Sequence, residues 1–185
     1  MTRINRISRE VAKLTDSLGH PMDGGIVKTV VGLRVHGVET AQSCEGHLGK
    51  VNNEPYVLIR GKRVDEIEEK HTKTYKKIVA KMPTSGQPQW TPQQRQELVK
   101  LGGLSTLLEQ RVKPQQRRVT DLADEFNQQR SDGSNLIVRP STPGRISLTV
   151  RVPTVSVEDD AAVLVKKQGV MDAFGDFLLG KKKST

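Results

Sequence analysis

The sequence has a single cysteine, few aromatic residues and no long hydrophobic run. One cysteine, Cys44, excludes an internal disulfide framework and any zinc or iron–sulfur site built mainly from cysteines. Aromatic residues make up 3% of the chain, which argues against a stacking platform for single-stranded nucleic acid. No stretch approaches the ~20 apolar residues of a membrane span, and the N-terminus lacks the apolar run of a secretory signal. We therefore expect a cytoplasmic protein with no membrane partner.

The composition is basic, with 30 Lys and Arg against 21 Asp and Glu residues, which gives a net charge of +9. Such a balance is typical of proteins that bind nucleic acid or another polyanion. Acidic residues are interspersed among the basic ones, so a protein that merely has a basic surface explains the charge equally well. Nucleic acid or a nucleotide is thus the candidate partner, and the oligomeric state is left open.

Hydrophobic periodicity predicts helices at both ends of the chain, four strands and a further helix after the second strand. The expected helices cover 3–18, 23–36 behind an Asp23 cap, a segment from about Asp65 with Ile67, His71, Tyr75 and Ile78 on one side, and a C-terminal stretch capped by Ser156. The expected strands cover 38–42, 56–60, 135–139 and 145–152, the last two forming a hairpin. This order predicts an α/β (α+β) fold, with a small mixed sheet packed by the N-terminal and C-terminal helices.

The region 83–131 interrupts this pattern. Three prolines and a glycine over 83–92 predict a linker, and Thr91 with Gln94 resembles a capping box. Glycines at 102 and 103 separate two predicted short helices, 92–101 and 104–112, and Pro114 is expected to open another. We expect residues 1–185 to form one domain in which 83–131 is a linker plus a helical excursion.

One short segment concentrates side chains that can carry chemistry. Ser43, Cys44, Glu45 and His47 surround Gly46 within five residues. The segment is predicted to be a loop at the end of a strand, where α/β proteins often place ligand sites. Gly46 permits a positive φ or a close approach of a ligand to the backbone.

Four interpretations of this 43–47 loop compete. Nucleophilic catalysis would need a base or a cation to activate the Cys44 thiol, whereas Glu45 beside it would raise the thiol pKa. A metal site could use Cys44 and His47, completed by Glu45 or by a distant histidine. The candidates for that distant ligand are His20, His36 and His71. Alternatively, loop amides and polar side chains bind a small molecule or nucleotide, or the loop is only a turn that packs Cys44 into the core.

The third interpretation is the one we favour. It predicts a ligand-binding site formed by Ser43, Cys44, Glu45, Gly46 and His47, with Arg60 as the nearest basic residue. It assigns no catalytic residue, no metal ligand and no cofactor. Free amides at Gly24 and Gly25, before the second helix, could also receive an anion, although Asp23 favours an ordinary cap.

The motif over 40–47, Thr-Ala-Gln-Ser-Cys-Glu-Gly-His, is preceded by Pro-Met-Asp-Gly-Gly at 21–25 and followed by Pro-Tyr-Val at 55–57. In these features the chain resembles a family of uncharacterised bacterial and phage proteins. Members share an acid-led helix, a Thr-x-x-Ser-Cys-Glu-Gly-His loop and an apolar strand after it. The segments 122–126 and 171–178 are also similar to the second half of that family.

A second resemblance is to the wybutosine-synthesis methyltransferases that modify tRNA. Those proteins carry Thr-x-Ser-Ser-Cys-Ser-Gly-Arg after an acid-led helix, and Thr40, Ser43, Cys44 and Gly46 match that pattern. Glu45 stands where that family has serine, and His47 where it has arginine, which removes a fixed cation with bidentate reach. The resemblance covers about 40 residues, and it implies S-adenosylmethionine and a tRNA substrate.

The sequence therefore leads us to expect a cytoplasmic protein that binds a nucleotide or nucleic-acid ligand at the 43–47 loop. Whether a reaction follows binding is open. One alternative is a nucleic-acid-modifying enzyme of the methyltransferase type. The other is a non-catalytic module that binds or sequesters a small molecule.

Overall fold

The structure is a computed structural model that describes residues 2–15, 20–49, 54–82, 90–153 and 159–181. Its helices are α1 (Arg3–Val11), α2 (Gly24–Val35), α3 (Asp65–Val79), α4 (Pro92–Gln128) and α5 (Asp160–Gly180). Its strands are β1 (Thr40–Cys44), β2 (Tyr56–Arg60), β3 (Asn135–Pro140) and β4 (Arg145–Arg151). The predicted α+β class is confirmed. Among the described residues, no helix is long and apolar enough to cross a membrane.

The four strands form one sheet in the order β1-β2-β4-β3. Every neighbouring pair is antiparallel, so the expectation of a mixed sheet was wrong. The β3–β4 hairpin is confirmed, and its short connection contains Gly144 at φ +77°. β1 runs further than expected, because Ser43 and Cys44 pair with Val57 and Tyr56 and so lie on the strand, not in a loop.

The core lies between the sheet and the helices α2, α4 and α5. α2 buries residues around most of its circumference, as its nearly unbroken apolar sequence predicts. α5 crosses it closely: a Cβ on Gly32 would stand 2.6 Å from Cβ of Leu178. Phe174 and Leu178 of α5 are fully buried in this contact. The two helices thus hold each other at a separation that only glycine permits.

Two helix ends differ from the predictions. α1 ends at Val11 rather than 18, since Thr15 forms a β-bridge with Pro21 that turns the chain back. Leu14 still packs against the core. α5 begins at Asp160, and its cap is the Asp159 carboxylate, which accepts from the Ala161 amide at 3.3 Å. Ser156, the predicted cap, lies outside the described residues, as do 16–19.

α4 is one helix over 92–128 and not a series of short ones. Gly102, Gly103 and Pro114 all lie inside it. Buried side chains on both sides of Pro114, Val112 and Val119 among them, keep the helix on the core and offset the missing backbone donor. The part of 83–131 that follows Leu108 therefore belongs to the core, while the assignment of a single domain stays a prediction. Of the predicted linker, residues 83–89 lie outside the described part of the chain.

The start of α4 follows the sequence prediction. The Thr91 hydroxyl accepts from the Gln94 amide at 3.3 Å, and the Gln94 side chain accepts from the Thr91 amide at 2.8 Å. This reciprocal pair is the capping box that the sequence indicated. Pro92 stands at the first helical position, where its missing N–H costs nothing.

α3 packs chiefly on the first half of α4. His71 bonds Ser105 at 3.0 Å, and Lys81 lies 3.7 Å from Glu97, so the two helices run antiparallel. We call this pair, residues 65–82 with 92–111, the helical arm. Tyr75, predicted to face inward, is 53% exposed because the inner side of α3 is formed by Thr74 and Ile78 instead.

The α2–α5 contact gives a stability prediction. A Cβ on Gly175 would stand 2.7 Å from Cβ of Lys28 and 2.8 Å from the Thr29 amide nitrogen. Gly175→Ala must push the two helices apart, and we expect it to cost about 1–3 kcal/mol. Thermal unfolding should show a melting temperature lower by ~2–4 °C per kcal/mol.

Gly169→Ala in the same helix is the matched control. Nothing lies within 4 Å of a Cβ built there, so the substitution should raise stability by up to about 1 kcal/mol through helix propensity alone. Equal effects of the two substitutions would contradict the close contact between α2 and α5.

Candidate functional site

Three potential ligand side chains meet where the start of α2 faces the end of β1. Asp23 directly precedes α2, Cys44 ends β1, and His47 follows the turn after that strand. Their donor atoms lie within 4.8 Å of one another. Asp23 Oδ2 and His47 Nε2 are 3.4 Å apart. We call these three residues the Asp–Cys–His cluster.

Gly46 shapes the turn that returns His47 to the cluster. Its φ is +83°, and a Cβ there would stand 2.8 Å from Cδ1 of Leu164 and 2.9 Å from the nitrogen of Pro55. Only glycine satisfies both the left-handed conformation and the close approach of β2 and α5. Gln168 of α5 then holds the turn, since its side-chain amide lies 3.2 Å from the Glu45 carbonyl oxygen and 3.4 Å from that of Gly46.

The amides around this turn are already bonded within the protein. The Glu45 amide donates to Asp23 Oδ2 at 3.2 Å, and the Gly46 amide to Cys44 Sγ at 3.3 Å. The Glu45 carboxylate accepts from the Gly25 amide at 2.8 Å. Glu45 therefore fills the helix N-terminus where a bound anion was considered. Asp23 occupies the N-cap position, but its carboxylate bonds the turn and makes no side-chain cap bond.

The cluster is partly open to solvent. The side chains of Asp23 and His47 are 32% and 36% exposed, and Cys44 is half-buried. Burial raises the pKa of the Cys44 thiol, the hydrogen bond from the Gly46 amide lowers it, and the negative charge of Asp23 raises it further. The thiol is consequently protonated at neutral pH. This argues against the interpretation of Cys44 as an activated nucleophile.

The remaining predicted site residues lie elsewhere. Ser43 Oγ is buried on β1 without a hydrogen-bond partner among the described residues. Arg60 is at the far end of β2: Tyr56 pairs with Cys44, whereas Arg60 pairs with Arg145, about 13 Å further along the strand. The prediction that places Arg60 beside the loop is not supported by this placement. Its guanidinium binds Asp65 at 2.7 Å, beside a shallow depression of about 430 Å³ lined in part by Glu68.

The histidines considered as distant ligands do not join the cluster within the described part of the chain. His36 Nε2 lies 2.9 Å from the Leu178 carbonyl oxygen, and His71 bonds Ser105. The member of the cluster that the sequence analysis does not predict is Asp23. The sequence carries a signal for it, since an aspartate precedes two glycines in the same set of motifs, but that pattern also predicts an ordinary helix cap.

A carboxylate oxygen, a sulfur and an imidazole nitrogen form a mixed donor set. Zn²⁺ is bound by these three ligand types, and a site with three protein ligands leaves a fourth position for water or a ligand. Calcium and magnesium prefer oxygen ligands and do not suit a sulfur donor. The geometry therefore indicates a site for a borderline or soft divalent metal ion.

Compared with known proteins, the chain matches no family model, no curated protein and no solved structure. The two resemblances of the motif over 40–47 stay predictions. The interpretation of the cluster depends on its geometry.

The environment of Cys44 generates a reactivity prediction. Asp23→Asn removes a negative charge near the thiol and keeps an oxygen that can accept from the Glu45 amide. The Cys44 pKa should fall, because one of the causes that raise it is gone, and the thiolate fraction at a given pH should rise. Alkylation by iodoacetamide in the presence of a chelator should be faster in the variant between pH 7 and 9.

Asp132→Asn is the control for this experiment, since its carboxylate pairs with Arg130 away from the cluster. It should alkylate at the rate of the unmodified protein. An unchanged or slower rate in Asp23→Asn would contradict the contribution of Asp23 to the pKa of Cys44.

Proposed function

We propose that the protein is a metal-dependent binding protein in which Asp23, Cys44 and His47 hold Zn²⁺, and the ion receives the phosphate of a nucleotide or nucleic-acid ligand at the 43–47 loop. The observation that carries the proposal is the approach of three different donor atoms to within 4.8 Å of one another. The sequence-based prediction of a ligand at this loop is kept, but a metal ion replaces the loop amides as the group that binds it.

The distances are compatible with zinc coordination after small side-chain rotations. Zn–S near 2.3 Å and Zn–N or Zn–O near 2.1 Å place tetrahedral donor atoms about 3.3–3.7 Å apart. Asp23 Oδ2 and His47 Nε2 are already 3.4 Å apart. Both side chains are about one-third exposed, so they have room to rotate toward a common centre.

Charge supports an anionic ligand at the fourth position. The thiolate and the Asp23 carboxylate balance the two charges of Zn²⁺, and the chain as a whole carries +9. A net positive protein raises the local concentration of anions such as nucleotides. Phosphate oxygen is a suitable fourth ligand for an ion bound by three side chains. Nothing in the described residues favours the methyltransferase alternative over this binding function.

The metal site is tested by titrating chelator-treated protein with Zn²⁺ by calorimetry and with Co²⁺ by absorption. We expect one ion per chain and a thiolate-to-cobalt charge-transfer band. Cys44→Ser should abolish that band, and both Cys44→Ser and His47→Ala should weaken Zn²⁺ binding at least about tenfold. His71→Ala, which changes a histidine outside the cluster, should bind both ions normally.

The metal site would be refuted if the protein did not bind one Zn²⁺ per chain. It would also be refuted if His47→Ala and His71→Ala lowered the affinity for Zn²⁺ equally.

The ligand is tested on the zinc-loaded protein with adenosine 5′-monophosphate and adenosine. The nucleotide should bind and the nucleoside should not, because only the nucleotide carries a phosphate for the ion. Removal of zinc by a chelator should abolish nucleotide binding. Equal binding of nucleotide and nucleoside, or binding that survives the chelator, would show that the ion does not receive the phosphate.

A further inference from the structure

The helical arm carries a row of lysines along one side of α3. Lys70, Lys73, Lys77 and Lys81 follow one another at three- and four-residue intervals, so they share one flank of the helix. All four are exposed. Lys73 pairs with Glu69 at 2.6 Å, yet its side chain stays 70% exposed.

α4 continues this basic flank. Its positions 97, 100, 104, 107 and 111 are also spaced by three and four residues and therefore lie on one side. The Lys81–Glu97 ion pair joins that side to the lysine row of α3. Lys100 and Arg111, both exposed, consequently face the same way as the lysines. We call these six cations the basic face; the carboxylates on or beside the same flanks are Glu66, Glu97 and Glu69, which pairs with Lys73.

The opposite flank of α3 is different in character. Tyr75, Val79 and Met82 are 53%, 42% and 50% exposed there. On α3 the lysines and the exposed apolar side chains thus occupy different flanks, whereas on α4 Leu107, 47% exposed, lies between Lys100 and Arg111. The basic face has no aromatic residue for base stacking, so it suits a phosphate backbone better than unpaired bases.

The length of the row matches a nucleic-acid backbone. Lys81 stands 11 residues after Lys70, just past the end of α3, so the row extends about 17 Å at the helical rise. One strand of a duplex carries on the order of five phosphates over that distance. Four lysines in line can therefore contact consecutive phosphates of one strand, and Lys100 and Arg111 widen the contact.

We propose that the basic face binds the phosphodiester backbone of double-stranded nucleic acid without reading its sequence. This surface is separate from the Asp–Cys–His cluster. The cluster adjoins the Tyr56 end of β2, whereas α3 follows the Arg60 end of that strand. Because the basic face does not include the cluster, the protein without metal should still bind duplex.

The test is fluorescence anisotropy of the full chain with a 20-base-pair duplex of mixed sequence, as DNA and as RNA, across a salt series. Lys70→Glu with Lys77→Glu should weaken binding at least about tenfold and lower the slope of log K against log salt by about 2, since two phosphate contacts are lost. Neither lysine has an ion pair among the described residues, so we expect only a small loss of stability, from repulsion between Glu66 and residue 70 and from an acidic side chain in the last turn of α3. Circular dichroism melting checks this.

Lys113→Glu with Arg117→Glu is the matched control. These exposed residues of α4 lie off the basic face, and the pair changes the net charge by the same amount. The control should bind duplex within about threefold of the unmodified protein, which fits the small contribution of screened, distant charges. Equal losses in the two double variants would mean that net charge alone attracts the duplex, and would overturn the proposal.

Two further results separate this surface from the loop. Normal duplex binding by His47→Ala, and in the presence of a chelator, supports a site on the arm. Loss of duplex binding in either case would place the nucleic acid at the cluster and overturn the inference. Binding of both duplexes indicates backbone recognition in general, and binding of one alone identifies which nucleic acid is the partner. If neither the DNA nor the RNA duplex binds, the basic face is not a nucleic-acid site.

Discussion

The left-handed turn at Gly46 is the constraint on which the candidate site depends. The turn is wedged between Pro55, which directly precedes β2, and Leu164 of α5, with no space for a Cβ. Because the backbone reverses there, His47 returns to the side of β1 on which Cys44 lies, within 3.4 Å of the Asp23 carboxylate. Gln168 holds the carbonyl oxygens of the turn from α5. Three separate elements therefore position the side chains of the cluster.

The charges at the Asp–Cys–His cluster explain why a cation suits this site. Two carboxylates and a thiol lie close together, and Glu45 is balanced by the amide at the start of α2. The Asp23 carboxylate makes no cap hydrogen bond to the start of α2, and its negative charge raises the pKa of Cys44. A divalent ion would neutralise Asp23 and the thiolate together, so metal binding is expected to release the thiol proton. Without a metal ion, the same negative charges would repel a phosphate from the cluster.

β2 connects two regions with different chemistry. Its Tyr56 end adjoins β1 and the cluster, and its Arg60 end continues into α3 and the helical arm. Arg60 is held there by Asp65. The basic charge of the chain is thus not gathered around the cluster. Part of that charge lies on the helical arm, away from the 43–47 loop.

Much of the local structure followed from the sequence. The nearly continuous apolar sequence of α2, the alternation of β4 and the capping box at Thr91 are patterns among residues close together in the chain, so the sequence alone predicts them. The grouping of Cys44, Gly46 and His47 was also predictable, because these residues are neighbours in the chain. Only tertiary structure decided the rest. Asp23 joins the cluster because α2 packs against β1, Arg60 is distant because of the direction of β2, and α4 continues through Pro114 because the core holds both of its halves.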